Sequence, residues 1–519
     1  MKQWMIKILI LFISPILFLG IMELSFRQFG GDRVRNYYDQ QTQMALGKPV
    51  PKKAVGEYRA FIFGGSSAYG FPVTDRSSIS AWLNQSFTKL LPGLKITVIN
   101  AAWPGKASHQ DLEGAYTSIK YKPDLFIVYT GHNEANIANR IYADSAIYRW
   151  NLNLSFRSAF YLWVLSKIEK IEKFFNKGKP VKQYREEIIA QKIYLRVEVT
   201  QNEYDQIAYR FEKNIHSILR IARKLKIPVV LVSPASNLHD IVPHFSGHRS
   251  DLDKTSLNKW NEFFEKGEKE FSEAKYQDAA NSFQEALKID PEYAKLHLDL
   301  ARSLEQFGAF EEAGKEFLLA RDKDLKPSRA KTQLIGILKK NADEPNVFFV
   351  DLEKIYAKDS PHGIIGYEFI YDDVHPTVKG QQIIAEAILK KLSAVNWIKP
   401  SAQWKWNEFE KLEKSEVWQT DASHEAYHDI LTGLLLWQQK DYKGAYESFE
   451  RGLISMPGFI ESYAFLGDSY YRTQHYEKAI SAFKTLEKKD AALEEVLLRK
   501  YPDLHESYSN LEKSVLAAS

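Results

Sequence analysis

Four short stretches hold side chains that could do chemistry together. Ser66 stands behind two glycines in FIFGGSSAYG (61–70), and Gly105 closes NAAWPG (100–105). Asn133 lies in GHNE (131–134), and Asp372 precedes His375 by three residues in YDDVHPT (371–377). A serine hydroxyl becomes a nucleophile when a base takes its proton, and the base in turn needs an orienting acid. A D-x-x-H turn lets the Asp372 carboxylate fix the His375 tautomer while the other ring nitrogen faces the serine. Gly105 sits in a turn where a bare backbone N–H can approach a ligand, and Asn133 offers a side-chain amide to a developing oxyanion. Taken singly, each has a plainer role: Gly105 as a turn, Asn133 as a cap, His375 before Pro376 as the entry to a helix.

The glycines around Ser66 fit no other glycine chemistry. Gly65 and Gly70 have the separation of a phosphate-binding loop, but Phe71 and Pro72 occupy the places of its lysine and hydroxyl. The dinucleotide fingerprint G-x-G-x-x-G is absent. A nucleophile elbow G-x-S-x-G, begun by Gly64 and Ser66, fails at Ala68. What remains is a serine at the end of an apolar run, with Ser67 as the alternative nucleophile.

The elements that must position these residues recur along the chain. YRAFIFGG (58–65), KITVINA (95–101), DLFIVYTG (124–131), IPVVLVS (227–233) and NVFFVDL (346–352) are apolar runs of the kind buried on both faces of a parallel sheet. Helical patterns such as SAWLNQSFTKLL and IHSILRIARKLK separate them. The expectation is an α/β layer fold with its site at the C-terminal ends of about five parallel strands, where Ser66 falls.

In order, spacing and strand context the four stretches resemble the four blocks of the SGNH (GDSL-type) hydrolase superfamily, over about residues 58–135 and 346–395. The resemblance implies a three-layer α/β fold and an esterase without a cofactor. Its nucleophile would be Ser66, its base His375 and its acid Asp372, with an oxyanion hole drawn from Ser66, Gly105 and Asn133. Gly64-Gly65-Ser66 departs from the Gly-Asp-Ser of that family, and Glu134 replaces the aspartate after the asparagine; neither change removes a triad atom. VSPASNLHDIVPHFSGH (232–248) follows the fourth strand at the same rim. There Glu134, Asn237 and His239 are candidates for the substrate cleft, together with His244 and His248, whose spacing matches no zinc pattern.

The remaining sequence frames this unit. In 519 residues there is no cysteine, which excludes disulfides, thiolate metal sites and a cysteine nucleophile, and a net charge of +4 does not point to nucleic acid. Trp4–Met22 is apolar except for Lys7 and Pro15, about the 20 residues a membrane span requires. Lys2 and Lys7 predict that the remainder of the chain lies outside, and the bulky Ile21-Met22-Glu23-Leu24, which offers no small-residue cleavage site, favours an uncleaved anchor over a cleaved signal peptide. Gly267, Ala279, Phe283, Ala286 and Pro291, with Ala313, Phe317 and Ala320 offset by 34, define a pair of tetratricopeptide repeats. Gly433, Ala445, Phe449 and Pro457, followed by Gly467, Ala479 and Phe483, define a second pair in the same register. The expected order is an anchor (1–24), a linker (25–57), a first hydrolase segment (58–257), an inserted repeat pair (258–341), a second hydrolase segment with the Asp-x-x-His turn (342–395), a linker (396–425), and a repeat pair with C-terminal helices (426–519). The two pairs are expected to dock on one another as one four-repeat surface, the rival being that each packs separately on the α/β core. The reading is an outward-facing esterase for a glycan O-acyl or lipid ester, with a protein partner on the repeats. An O-acyltransferase with a polysaccharide acceptor, and a scaffold with an idle hydrolase unit, stay open.

Overall fold

The computed structural model describes residues 50–71, 78–136, 198–399 and 440–511, apart from Pro92 and residues 501–503, with scattered positions elsewhere. The apolar stretch Trp4–Met22 lies outside them except for its last two positions. Among the described residues no helix is long and apolar enough to cross a membrane.

The apolar runs form strands β1 (Glu57–Gly64), β2 (Lys95–Asn100), β3 (Leu125–Tyr129), β4 (Val229–Val232) and β5 (Val347–Val350). All neighbours pair in parallel, in the order β2-β1-β3-β4-β5. Both faces of such a sheet must be covered, because successive side chains point to opposite sides. Phe61, Phe63, Phe126 and Val128 bury one face under α3 (Ser108–Ser118), α4 (Gln201–Leu225) and α9 (Thr332–Asn341). On the other side α2 (Ile79–Leu90) packs on α11 (Val378–Ala394), burying Trp82, Ile384 and Ile388. The result is three layers. Helix α4 shows how the sequence makes one: Thr200 and Glu203 form a capping box, Tyr204, Ile207, Phe211, Ile215 and Ile218 build one apolar face, and Lys226 at φ 58 ends it.

The inserted pair comprises α5 (Lys254–Ser272), α6 (Tyr276–Ile289), α7 (Ala294–Gln306) and α8 (Phe310–Asp322). Gly267 is small because a methyl there would meet the Phe283 ring at 2.5 Å. One period later Ala301 and Phe317 are buried in the same cluster. Helix α9, which the repeat spacing assigns to the insertion, instead joins the α/β core. Leu334 and Leu338, four apart, are buried with Phe126 and Leu231. Leu238 and Ile364 of the α/β unit complete the core of the repeats. Fully buried Arg321 ties α8 to Glu353 of α10 (Leu352–Asp359) and to Thr332 (2.8 Å).

The described residues up to Lys399 form one compact unit, and those from Ala426 onward a second. In the second, α12 (Tyr442–Ser455), α13 (Ser462–Arg472) and α14 (Tyr476–Lys500, kinked at Asp490) repeat the same device. Gly433 faces Phe449, and Gly467 faces Phe483, at would-be methyl distances of 2.7 and 2.8 Å.

Candidate active site

Chain geometry after β1 explains both glycines of GGS. At Gly64 (φ +152) any side chain would overlap the Tyr129 carbonyl of neighbouring β3, and at Gly65 it would overlap the Asn133 amide. The strand therefore closes on its neighbour and turns at once into α1 (Ser66–Tyr69), capped where Gly70 (φ +101) donates its N–H to Ser66 O at 3.0 Å. Ser66 and Ser67 then diverge. Ser66 Oγ lies 2.7 Å from His375 Nε2, whereas buried Ser67 donates to Val374 O at 2.9 Å.

His375 belongs to a hairpin-like loop in which Ile370 bridges Pro376 and Tyr371 N–H donates to His375 O (2.8 Å). Asp372 Oδ1 accepts the N–H groups of Val374 (2.9 Å) and His375 (2.8 Å), and Asp372 Oδ2 lies 2.6 Å from His375 Nδ1. With Nδ1–H donated to the carboxylate, Nε2 is left as the acceptor for the Ser66 hydroxyl. Phe71 packs edge-on against the imidazole, ring centres 4.9 Å apart.

Across the sheet end, Asn133 Nδ2 donates to Lys106 O (2.9 Å), and Asn139 Nδ2 reaches both Gly105 O (3.0 Å) and Asn133 O (2.9 Å). Gly105 holds φ +80, a conformation that disfavours any side chain. Trp103 N–H donates to Gly64 O (3.1 Å), which binds this turn to the serine turn. The Trp103 ring, 48 % exposed, stands edge-on to Tyr69 of α1 with centres 5.4 Å apart. Behind the loop, Lys106 donates to Ala101 O at 3.0 Å, and burial pushes its pKa down despite nearby Asp111 and Glu113.

The structure brings Ser66, His375, Asp372, Gly105 and Asn133 to one rim and sends the three cleft candidates elsewhere. Glu134 is buried beneath the start of α3, accepting Ser108 N–H (2.6 Å) and Ser108 Oγ–H (2.9 Å). Burial raises its pKa to about 7 against those bonds. Asn237 is fully buried and closes a turn with Asp240, donating at 3.1 Å and accepting at 3.0 Å. His239 spans Asp240 (2.7 Å) and Glu305 of α7 (3.0 Å), joining the repeats to the α/β unit. His244 bonds Asp373 (2.6 Å), and His248 bonds Asp290 (2.8 Å).

Sequence reasoning passed over Asp373, Asn139 and residues 328–330. The second acid of YDDVH was the available signal for Asp373. Burial alone would raise that carboxyl, but bonds from His244 and Ser328, with the His244 and Arg329 charges, hold it well below the usual carboxylate range.

Residues 270–335 match the model of a tetratricopeptide repeat family. A search of curated protein sequences gives no match. Among solved structures, the chain is similar to a GDSL-like lipase from Bacteroides thetaiotaomicron, with 12 % identity, 69 % of this chain and 98 % of that one covered, and a TM-score of 0.29. It is similar to a lipase/acylhydrolase from Enterococcus faecalis (11 %, 66 % and 98 %, TM-score 0.29). It is also similar to an acetylxylan esterase from Geobacillus stearothermophilus (14 %, 67 % and 95 %, TM-score 0.29).

Proposed function

We propose that this protein is a serine esterase of SGNH type, with Ser66 as nucleophile, His375 as base and Asp372 as its orienting acid. The observation that carries the reading is the continuous line Ser66 Oγ, His375 Nε2, His375 Nδ1, Asp372 Oδ2, with links of 2.7 and 2.6 Å. Ser66 attacks the ester carbonyl as His375 takes its proton; the tetrahedral oxyanion collapses, and His375 protonates the departing alcohol. Water, deprotonated by the same imidazole, then frees the acid from the acyl-serine and restores the hydroxyl. The Ser66 and Gly105 N–H groups and the second N–H of the Asn133 amide are the oxyanion donors.

Of glycan and lipid esters, the rim favours the glycan. Half-exposed Trp103 stands beside the serine turn, and aromatic rings suit the C–H face of a sugar. Trp103→Ala should raise KM for an acetylated oligosaccharide and leave p-nitrophenyl acetate hydrolysis unchanged. The stretch Trp4–Met22 supports an anchor that holds this unit outside the membrane, and external protease digestion of residues 60–519 checks that orientation. The repeats offer a protein partner a cavity of about 190 Å³ lined by Glu268, Phe271, Phe283, Asp299 and Arg302. The central experiment is fluorophosphonate labelling followed by mapping of the adduct. Ser66 should carry it, and Ser66→Ala should abolish both labelling and turnover; an adduct on Ser67, or none, overturns the assignment.

A further inference from the structure

The repeat insertion leaves the α/β unit after β4 and returns through residues 324–331, and both connections run against the candidate site. On the returning side, Ala330 N–H donates to His132 Nδ1 (3.2 Å), and His132 immediately precedes Asn133. The His132 ring is buried, which lowers its pKa to about 3, so a neutral acceptor nitrogen faces Ala330 at any working pH. Two residues earlier, Ser328 Oγ–H donates to Asp373 Oδ2. Between them, buried Arg329 donates to Asn237 O (3.0 Å) and Ile241 O (3.4 Å) and sets its charge toward Asp373.

The outgoing side reaches the same carboxylate. His244 Nε2 lies 2.6 Å from Asp373 Oδ2. Asn237 N–H donates to Asp373 O (3.1 Å). The two connections are also bound to each other: Asp324 accepts the N–H groups of His244 (2.8 Å) and Phe245 (3.0 Å), and Leu325 N–H donates to Phe245 O (3.0 Å). Asp373 is flanked in sequence by Asp372 and, two residues on, by His375. One acid of the pair faces the imidazole while the other faces the insertion.

We propose that Asp373 is a positioning residue for the triad, and that the clamp of His244, Ser328 and Arg329 on its carboxylate makes the repeat insertion a structural part of the active site. The clamp fixes the outer side of the loop whose inner side Asp372 fixes. The same returning segment steadies Asn133 through His132, so both halves of the site rest on the insertion. A sub-ångström shift of the loop lengthens the Ser66–His375 bond, and misplacement on the ångström scale lowers turnover by up to about 100-fold without touching substrate binding.

The activity readout rests on the esterase reading. The test compares the full chain with Asp373→Ala, Asp373→Asn and Ser328→Ala, using p-nitrophenyl acetate, fluorophosphonate labelling and the downfield Nδ1 proton of ¹⁵N-labelled His375. Asp373→Ala is expected to lower kcat about 10- to 100-fold with KM changed less than about twofold, to slow labelling in parallel and to broaden or erase the imidazole signal. Asp373→Asn, which keeps the shape and one acceptor, should recover several-fold of that loss. Unchanged kcat with an unchanged imidazole signal overturns the proposal. So does a rise in KM alone, or a loss that merely follows the unfolded fraction seen by circular dichroism. Failure of the wild-type chain to label strikes the esterase reading instead, and the imidazole signal still decides the role of Asp373.

Discussion

Asn133 shows how closely the site depends on single atoms. Its side-chain amide donates to Lys106 O, its backbone carbonyl accepts from Asn139, and its amide nitrogen lies 2.4 Å from where a Cβ on Gly65 would stand. An oxyanion donor acts chiefly when charge develops, so Asn133→Ala should lower kcat about 100- to 1,000-fold while KM moves little. A pure KM effect in steady-state kinetics would make it a substrate-binding residue. Gly65→Ala should act in the same direction, since its methyl overlaps that amide. Ser67→Ala, by contrast, removes one buried hydrogen bond to Val374 O and should cost about 1 kcal/mol of stability with turnover retained. The Asp372–His375 contact was legible because the two residues stand three apart in one turn, whereas Ser66, 309 residues from His375, was legible only through its place at the end of an apolar run. The burial of Glu134 and Asn237 was not, because Ser108 and Asp373 are distant in sequence, and because an Asn-x-x-Asp turn such as Asn237 with Asp240 looks the same whether it faces a ligand or only its own loop. Polar residues at a strand rim serve their own loops as readily as a ligand.

Among the elements, the strands were legible as unbroken apolar runs and the repeats as a 34-residue period. The boundary at α9 was not, since apolar residues four apart serve a repeat and a sheet equally well. The same period governs backbone strain. Ala274, Gly308, Lys440 and Gln474 occupy the turn between the two helices of successive repeats, 34 apart within each pair, and all have positive φ. Only Gly308 takes that conformation freely. Ala274 (φ 59) bears a left-handed penalty of about 1 kcal/mol, partly offset by the greater unfolded-state entropy of glycine. Ala274→Gly should therefore raise the unfolding temperature of the first unit slightly in calorimetry. Gly267→Ala should lower that temperature, costing about 1–3 kcal/mol of stability, because the added methyl meets the Phe283 ring. If Gly267→Ala were neutral, the close helix crossing that defines the repeat would not be needed there.

For the first unit as a whole, the seam between repeats and sheet makes stability depend on pH through His239. A neutral imidazole has one N–H, yet His239 faces Asp240 through Nδ1 (2.7 Å) and Glu305 through Nε2 (3.0 Å). Serving both carboxylates takes the imidazolium. The Asp240 bond raises its pKa to about 9 against partial burial, with Glu305 adding to the rise. A group whose folded pKa lies above its unfolded value stabilises fully below the unfolded value of 6.5 and loses that contribution as pH rises to about 9. The side chain is 40 % exposed, so water screens the pair and the contribution is about 1 kcal/mol. His244, raised by its bond to Asp373, acts in the same direction. The buried carboxyls Asp111, Glu113 and Glu134, raised by burial to about 6, 7 and 7, also destabilise as they ionise, a loss that for the two glutamates runs on past neutrality. Those terms are common to both proteins, so the difference isolates His239: between pH 7 and pH 9.5, denaturant unfolding should show a decline about 1 kcal/mol larger in the wild type than in His239→Gln. An equal decline in both proteins would mean that the His239 bridge does not hold the repeats to the sheet, and that their attachment rests on Leu238, Ile364 and the Arg321–Glu353 pair.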